Sequence, residues 1–158
     1  MSEPPTSLLF DVFALSQRVG AFLDRAMAGA PLTPAEYALC SAVFELEAGT
    51  PSALAQRLGL PLTTAIDRLH DLETRSLARR TPSAADRRAS IVTLSAEGMA
   101  AHRAANREFE VAHAAVDTEL GAHAGAVRRA LLTLRSAVER VTAELDEVSP
   151  RPTGGRAG

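Results

Sequence analysis

Residues 51–95 follow an order of element types that few folds share. Ser52-Ala53-Leu54-Ala55-Gln56-Arg57-Leu58-Gly59 reads as a short amphipathic helix ended by glycine, and a second amphipathic segment follows over residues 61–75. Two short segments that read as strands, residues 77–81 and 91–94, then bracket the charged triplet Asp86-Arg87-Arg88. Helix, tight turn, second helix, strand, charged loop, strand is the order of a winged helix. Such a module puts its second helix in the DNA major groove and its loop beside the adjacent minor groove.

Charge is distributed to match. Residues 51–95 hold seven Arg and four acids, a net of +3, while the rest holds ten Arg and fifteen acids, a net of −5. A basic head on an acidic body is a directional field that can orient a protein on a phosphate backbone. All 17 basic residues are Arg, whose planar fork suits guanine and phosphate. The chain is 46% hydrophobic with no Trp, one Tyr and five Phe, so its core is built from Ala, Leu and Val. That composition suits helix packing, and the predicted fold class is mainly α with a small β-wing. At 158 residues one domain is expected. No apolar run approaches the roughly 20 residues of a membrane span. Met1-Ser2-Glu3-Pro4-Pro5 lacks the basic start of a secretory signal, and one cysteine forbids an internal disulfide, so a cytoplasmic location is expected.

Periodicity fills in the other elements. Leu8, Val12, Leu15, Val19, Phe22 and Ala26 recur three and four apart and predict a helix over residues 8–27, capped by Ser7. Thr33, Pro34 and Glu36 form a capping box for a second helix. Ser52 is the expected cap of the third helix and Gly59 its turn residue. In the fourth, Ala65, Ile66, Leu69 and Leu72 are the expected buried stripe, leaving Thr63, Thr64, Asp67, Arg68 and Asp71 outward. Ser95 opens a fifth helix to about residue 120, in which Gly98 reads as merely tolerated, and Gly121 and Gly125 bracket a break. Val127, Leu131, Leu134, Val138, Val141 and Leu145 then form a heptad seam of the kind that packs on another helix. Residues 149–158, with two Pro and three Gly, read as a disordered tail.

Three segments together carry a family resemblance. They are Arg68-Leu69-His70-Asp71-Leu72-Glu73-Thr74-Arg75-Ser76-Leu77-Ala78-Arg79-Arg80, Asp86-Arg87-Arg88-Ala89, and Val92-Thr93-Leu94-Ser95-Ala96-Glu97-Gly98. Over residues 8–147 the chain resembles the MarR family of bacterial transcriptional regulators. The resemblance implies a homodimer, with residues 8–30 and 96–147 as dimerisation helices and 33–95 as the DNA-binding lobe. It implies that Arg88 enters the minor groove at the wing tip, held by Asp86 and flanked by Arg87. Thr63, Thr64, Asp67 and Arg68 would face the major groove of a pseudo-palindromic operator. A small aromatic or lipophilic effector is implied, bound between the dimer base and the lobes, its binding releasing a repressor from DNA. Ser76 stands where the family often has Gly, at a helix end that needs positive φ. Asp67 and Asp71 make the reading face less basic, which leaves a winged-helix protein-interaction module as the alternative.

Four further residues are candidates for an effector pocket: Cys40, His102, Asn106 and His113. Cys40 reads as a core thiol, since no Arg or His lies within one turn to lower its pKa. Met99, His102, Asn106, Phe109, His113, Val116 and Leu120 share a helical stripe, and the polar members need partners, either across a dimer base or in a ligand pocket. His102 and His113 are eleven residues apart, not the three or four of a helical metal site, so no metal is expected. No nucleophile set, phosphate loop or Cys cluster appears at usable spacing, so neither enzyme activity nor a cofactor is expected.

Overall fold

The structure, a computed structural model, describes residues 7–47, 49–83 and 89–148. Its helices are α1 (Leu8–Ala26), α2 (Pro34–Glu45), α3 (Pro51–Leu58), α4 (Leu62–Thr74), α5 (Ala96–Leu120) and α6 (Ala124–Val148). The strands β1 (Ala78–Pro82) and β2 (Ser90–Leu94) lie between α4 and α5, and a 3₁₀ turn at Gly121–His123 precedes α6. The chain divides into two units, residues 1–113 and 114–158, with α5 passing from the first into the second. Among the described residues, no helix is long and apolar enough to cross a membrane.

The helix ends of the first unit show why the chain turns where it does. Thr33 and Glu36 close the expected capping box: the Glu36 backbone N–H donates to Thr33 Oγ1 at 3.3 Å, and the Thr33 N–H donates to Glu36 Oε2 at 2.8 Å. Burial works to raise the Glu36 pKa, but these bonds and the Arg75 guanidinium outweigh it and hold the carboxylate below its usual range. The cap of α3 is Thr50, not Ser52: Thr50 Oγ1 accepts from Ala53 N at 3.2 Å, and Pro51 takes the first helical position. Proline fits there because its missing N–H is one the helix leaves unbonded. Ser7 stands before α1 but makes no side-chain cap.

Two helices end in the same way. After α3, Gly59 adopts φ 64°, Leu60 N donates to Ala55 O at 2.9 Å and Gly59 N to Gln56 O at 3.2 Å. After α4, Ser76 adopts φ 59°, Leu77 N donates to Leu72 O at 2.8 Å and Ser76 N to Glu73 O at 2.8 Å. Both are Schellman turns, which satisfy the carbonyls a helix end leaves open. Leu72 and Leu77, joined by the outer bond, are both buried, which supplies the apolar contact such turns favour. The turn after α4 therefore forms with serine, at the cost of a left-handed residue that carries a Cβ.

β1 and β2 pair antiparallel, Ala78 with Leu94 through to Pro82 with Ser90. Ser83 N donates to Ala89 O at 2.9 Å at the open end of the ladder, and Gly49 adds a bridge to Val92 on the other side of β2. The core beneath is aliphatic: Leu32, Leu39, Leu54, Leu69, Leu72 and Val92 are fully buried. Ile66 is not part of it. Its side chain is 37% exposed, because Ala65, Leu69 and Leu72 already occupy the inward row and a residue one position on points about 100° away.

α5 meets this core through its smallest residues. Gly98, Ala105 and Ala112 are its buried positions, seven apart, while His102, Asn106 and Phe109 are half-buried at the flank and His113 is exposed. Gly98 is required rather than tolerated. A Cβ built there would lie 1.9 Å from the Leu77 carbonyl oxygen. Ser95 sets up the approach, donating from Oγ to Ser76 O at 2.7 Å and from its backbone N–H to Leu77 O at 3.0 Å. Ser95 Oγ also accepts from Gly98 N at 2.9 Å.

In the second unit, the break after α5 falls at Gly121, with φ 51°, whereas Gly125 lies inside α6. None of residues 124–145 is buried. Of the predicted seam, Leu131 is 50% exposed, Val138 46% and Leu145 64%.

Two substitutions test this account of the first unit. Gly98→Ala should lower the unfolding free energy by at least the roughly 1–3 kcal/mol typical of overpacking, read as a lower urea midpoint. An unchanged midpoint would mean that α5 can withdraw from Leu77 without loss. Ser76→Gly should raise stability by up to about 1 kcal/mol, because relief of the left-handed strain exceeds the added chain entropy. A lowered midpoint would show that the Ser76 side chain contributes more than its backbone conformation costs.

Candidate nucleic-acid interface and ligand cavity

The outward side of α4 is set by its inward row. With Ala65, Leu69 and Leu72 fully buried, Thr63 and Asp67 are exposed opposite them, and Thr64 and Arg68 are half-exposed at one edge. These four are the expected major-groove residues, and the structure brings them together on one face. Asp86, Arg87 and Arg88, the expected wing residues, lie outside the described residues. In the sequence they fall between β1 and β2.

Not all of the arginines counted in the basic segment point to a partner. Arg80 on β1 grips Glu73 on α4 as a fork, Nε to Oε1 at 2.7 Å and Nη2 to Oε2 at 2.6 Å. The Arg80 hydrogen bonds hold the Glu73 carboxylate below its usual pKa range, and the Glu73 bonds push Arg80 up. Arg75, just past α4, donates to Glu36 Oε1 at 2.6 Å and to Pro31 O at 2.8 Å. Arg57 on α3 pairs with Glu45 on α2 at 2.8 Å. Among the described residues of the segment, Arg68 and Arg79 are left without an acidic partner. Residue counting alone could not separate these tied arginines from the available ones.

A cavity of about 330 Å³ opens among α1, α2, α3 and α5 within the first unit. Leu23, Leu58, Tyr37 and Phe109 supply apolar walls, with Ser41 and the Glu45–Arg57 pair as its polar groups. Its volume falls in the range of small-molecule sites. Cys40, His102, Asn106 and His113 are not among its lining residues. Asn106 and His102 instead fix two residues that are. Tyr37 donates its hydroxyl to Asn106 Oδ1 at 2.6 Å, and Ser41 Oγ is hydrogen-bonded to His102 Nε2 at 2.9 Å. The partners of His102 and Asn106 in the α5 polar stripe are therefore α2 side chains of the same chain.

Rings of α2 and α5 lie in a row. His102 lies against Phe44, 5.6 Å between centroids, and against Tyr37 at 5.3 Å; Phe109 lies 4.9 Å from Tyr37, and His113 6.3 Å from Phe109. Burial, then the nearby Arg103, hold His102 below the ordinary imidazole range, so its ring is neutral at neutral pH. Burial, with Glu110 and Glu45 adding, pushes Tyr37 up and keeps its hydroxyl protonated as a donor. His113 is exposed, 3.8 Å from Glu110. Cys40 is fully buried, and burial pushes its thiol up to about 12, the reverse of what a reactive cysteine needs. The cavity residues Tyr37, Ser41 and Glu45 are spaced by four along α2, a polar row that apolar periodicity passes over. Among the described residues, no group of three or more His, Cys, Asp or Glu is placed to hold a metal ion.

No family model matches this sequence, and no curated protein does. Solved structures do match it. The transcriptional regulator MosR of M. tuberculosis, in complex with DNA, superposes with a TM-score of 0.76 at 26% identity, over 85% of this chain and 98% of its own. PcaV of Streptomyces coelicolor, a transcriptional regulator in complex with its natural ligand, gives 0.73 at 20% identity, over 87% and 98%. MarR of E. coli gives 0.65 at 20% identity, over 83% and 97%. All three cover nearly their whole lengths, so the likeness takes in the flanking helices as well as the winged lobe. The chain therefore has the winged helix-turn-helix fold of these regulators, MarR of E. coli among them.

Proposed function

We propose that this protein is a cytoplasmic, DNA-binding transcriptional regulator that works as a homodimer and answers to a small organic effector. The observation that carries the reading is the outward face of α4, with Thr63, Thr64, Asp67 and Arg68, next to a hairpin whose connection bears Asp86-Arg87-Arg88. The second helix of a helix-turn-helix presents such a face to base edges, while a basic loop beside it meets the minor groove. Arg68 would address guanine, and Asp67 the cytosine amino group, a donor that suits a carboxylate. That MosR was solved with DNA supports the same reading.

The dimer rests on apolar faces left open in one chain. α1 has no buried residue, and Leu8, Leu9 and Phe13 on it are each 63% exposed. On α6, all of the seam but the half-buried Leu134 is exposed. Apolar stripes of this extent mark association sites, and a two-fold copy covers them with the same patch on each chain. On this reading residues 8–30 and 96–147 are the dimerisation helices and 33–95 the DNA-binding lobe of one domain. The effector occupies the cavity lined by Leu23, Tyr37, Ser41 and Phe109, whose walls suit an aromatic or lipophilic molecule. Its effect on DNA would pass through α2 and α3, which line the cavity and support α4.

Gel shifts with the DNA upstream of the gene, at fixed salt, test the central part. Arg88→Ala should cost roughly 1–3 kcal/mol of specific binding. Arg68→Ala should relax discrimination at one or two base pairs per half-site by a similar amount. Uniform loss over all operator variants would assign Arg68 to phosphate, and unshifted DNA with the wild-type protein would turn the reading towards a protein partner. Leu131→Asp with Val138→Asp, both exposed within the single chain, should turn a dimer into monomers by light scattering while leaving the winged lobe folded. A wild-type protein that is monomeric at micromolar concentration would contradict the assembly.

A further inference from the structure

The first turns of α4 leave two large aliphatic side chains in the open. Leu62 is 47% exposed and Ile66 37%, one turn apart, beside the exposed Thr63 and Asp67. Neither belongs to the inward row, which is Ala65, Leu69 and Leu72. Sequence periodicity groups Ile66 with that row, and the structure takes it out. A helix surface meant only for water gains nothing from a leucine and an isoleucine four residues apart. Both lie in the half of the helix that a helix-turn-helix presents to base edges.

We infer that Leu62 and Ile66 are specificity-determining residues that read the C5-methyl groups of thymines in the major groove. The inference rests on the DNA-binding reading above. Base edges in that groove present donors and acceptors, with one apolar feature among them, the thymine methyl. An aliphatic chain set against any other edge would displace water from a polar group and return no hydrogen bond, which is unfavourable. Against thymine it buries a methyl and leaves the O4 acceptor free. Residues four apart rise about 6 Å along a helix, close to two base-pair steps of roughly 3.4 Å, so the pair reaches separate base pairs. Leu62 and Ile66 thus contribute an apolar half of the code, beside the polar half from Thr63, Asp67 and Arg68. The pair also selects against cytosine, which lacks the methyl and carries an amino donor where thymine has its O4 acceptor.

Replacing thymine by uracil removes the methyl and nothing else. The full-length protein is used to select a duplex from a random-sequence pool, and that duplex is remade with deoxyuridine for thymidine. Fluorescence anisotropy should show wild-type binding weakened about fourfold for each contacted methyl, the equivalent of roughly 0.8 kcal/mol. The variant carrying Leu62→Ala and Ile66→Ala should bind the thymine and uracil duplexes with equal Kd. The ratio of the two constants is the readout, so a change in the fraction of active protein cancels. Equal wild-type binding to both duplexes overturns the inference, as does a double variant that keeps the full wild-type ratio; in either case DNA binding itself stands. Failure to recover any duplex from the pool would remove the DNA-binding reading and this inference with it.

Discussion

The Glu73–Arg80 fork ties the end of α4 to the first strand of the hairpin, and what the lobe presents outward depends on it. Its two bonds, at 2.7 and 2.6 Å, fix direction as well as distance, as the planar guanidinium allows. Arg75 adds a second tie from the end of α4 back to Glu36, which is itself held by the α2 cap. Between them the chain reverses through Ser76, and Ser95 and Gly98 bring α5 against the Leu77 carbonyl behind the turn. The outward face of α4 and the base of the hairpin are thus positioned by one local cluster. A cost accepted at Ser76, in left-handed strain, is offset by the hydrogen bonds and the buried Leu72–Leu77 contact around it.

Charge within the lobe is divided between these two tasks. Arg57, Arg75 and Arg80 hold elements together, whereas Arg68 and Arg79 have no acidic partner among the described residues. A net charge of +3 over residues 51–95 therefore overstates the field available to a phosphate backbone. Direction comes from placement: each tied arginine links one element to another, and Arg68 lies half-exposed at the edge of α4.

Most of the architecture was legible in the sequence because it rests on local signals. The capping box at Thr33, the Gly59 turn and the spacing of Leu69 and Leu72 each follow from short-range geometry, and the structure contains all three. The departures arise where tertiary contact decides. Ser52 and Thr50 are both good caps, and Pro51 settles between them by taking the first helical position. Gly98 looks like a weak point in a helix until the Leu77 carbonyl is placed beside it. The α5 stripe was read from its large residues, yet the packed face runs through Gly98, Ala105 and Ala112, because close helix approach selects the smallest side chains. In the cavity, His102 and Asn106 drew attention as polar groups on an apolar helix, and their partners Ser41 and Tyr37 are the ones that reach the open space. No sequence spacing links residues 61 or 69 positions apart, so that pairing had to come from the fold.

Hydroxyl-radical footprinting of the upstream duplex tests the central claim most directly, since it reports symmetry and groove contact together. Two winged lobes related by a two-fold axis predict protection of two patches on one face of the DNA, about one helical turn or roughly 10 base pairs apart, with dyad symmetry between the strands. A single unsymmetrical patch, or a cleavage pattern unchanged by saturating protein, would contradict it.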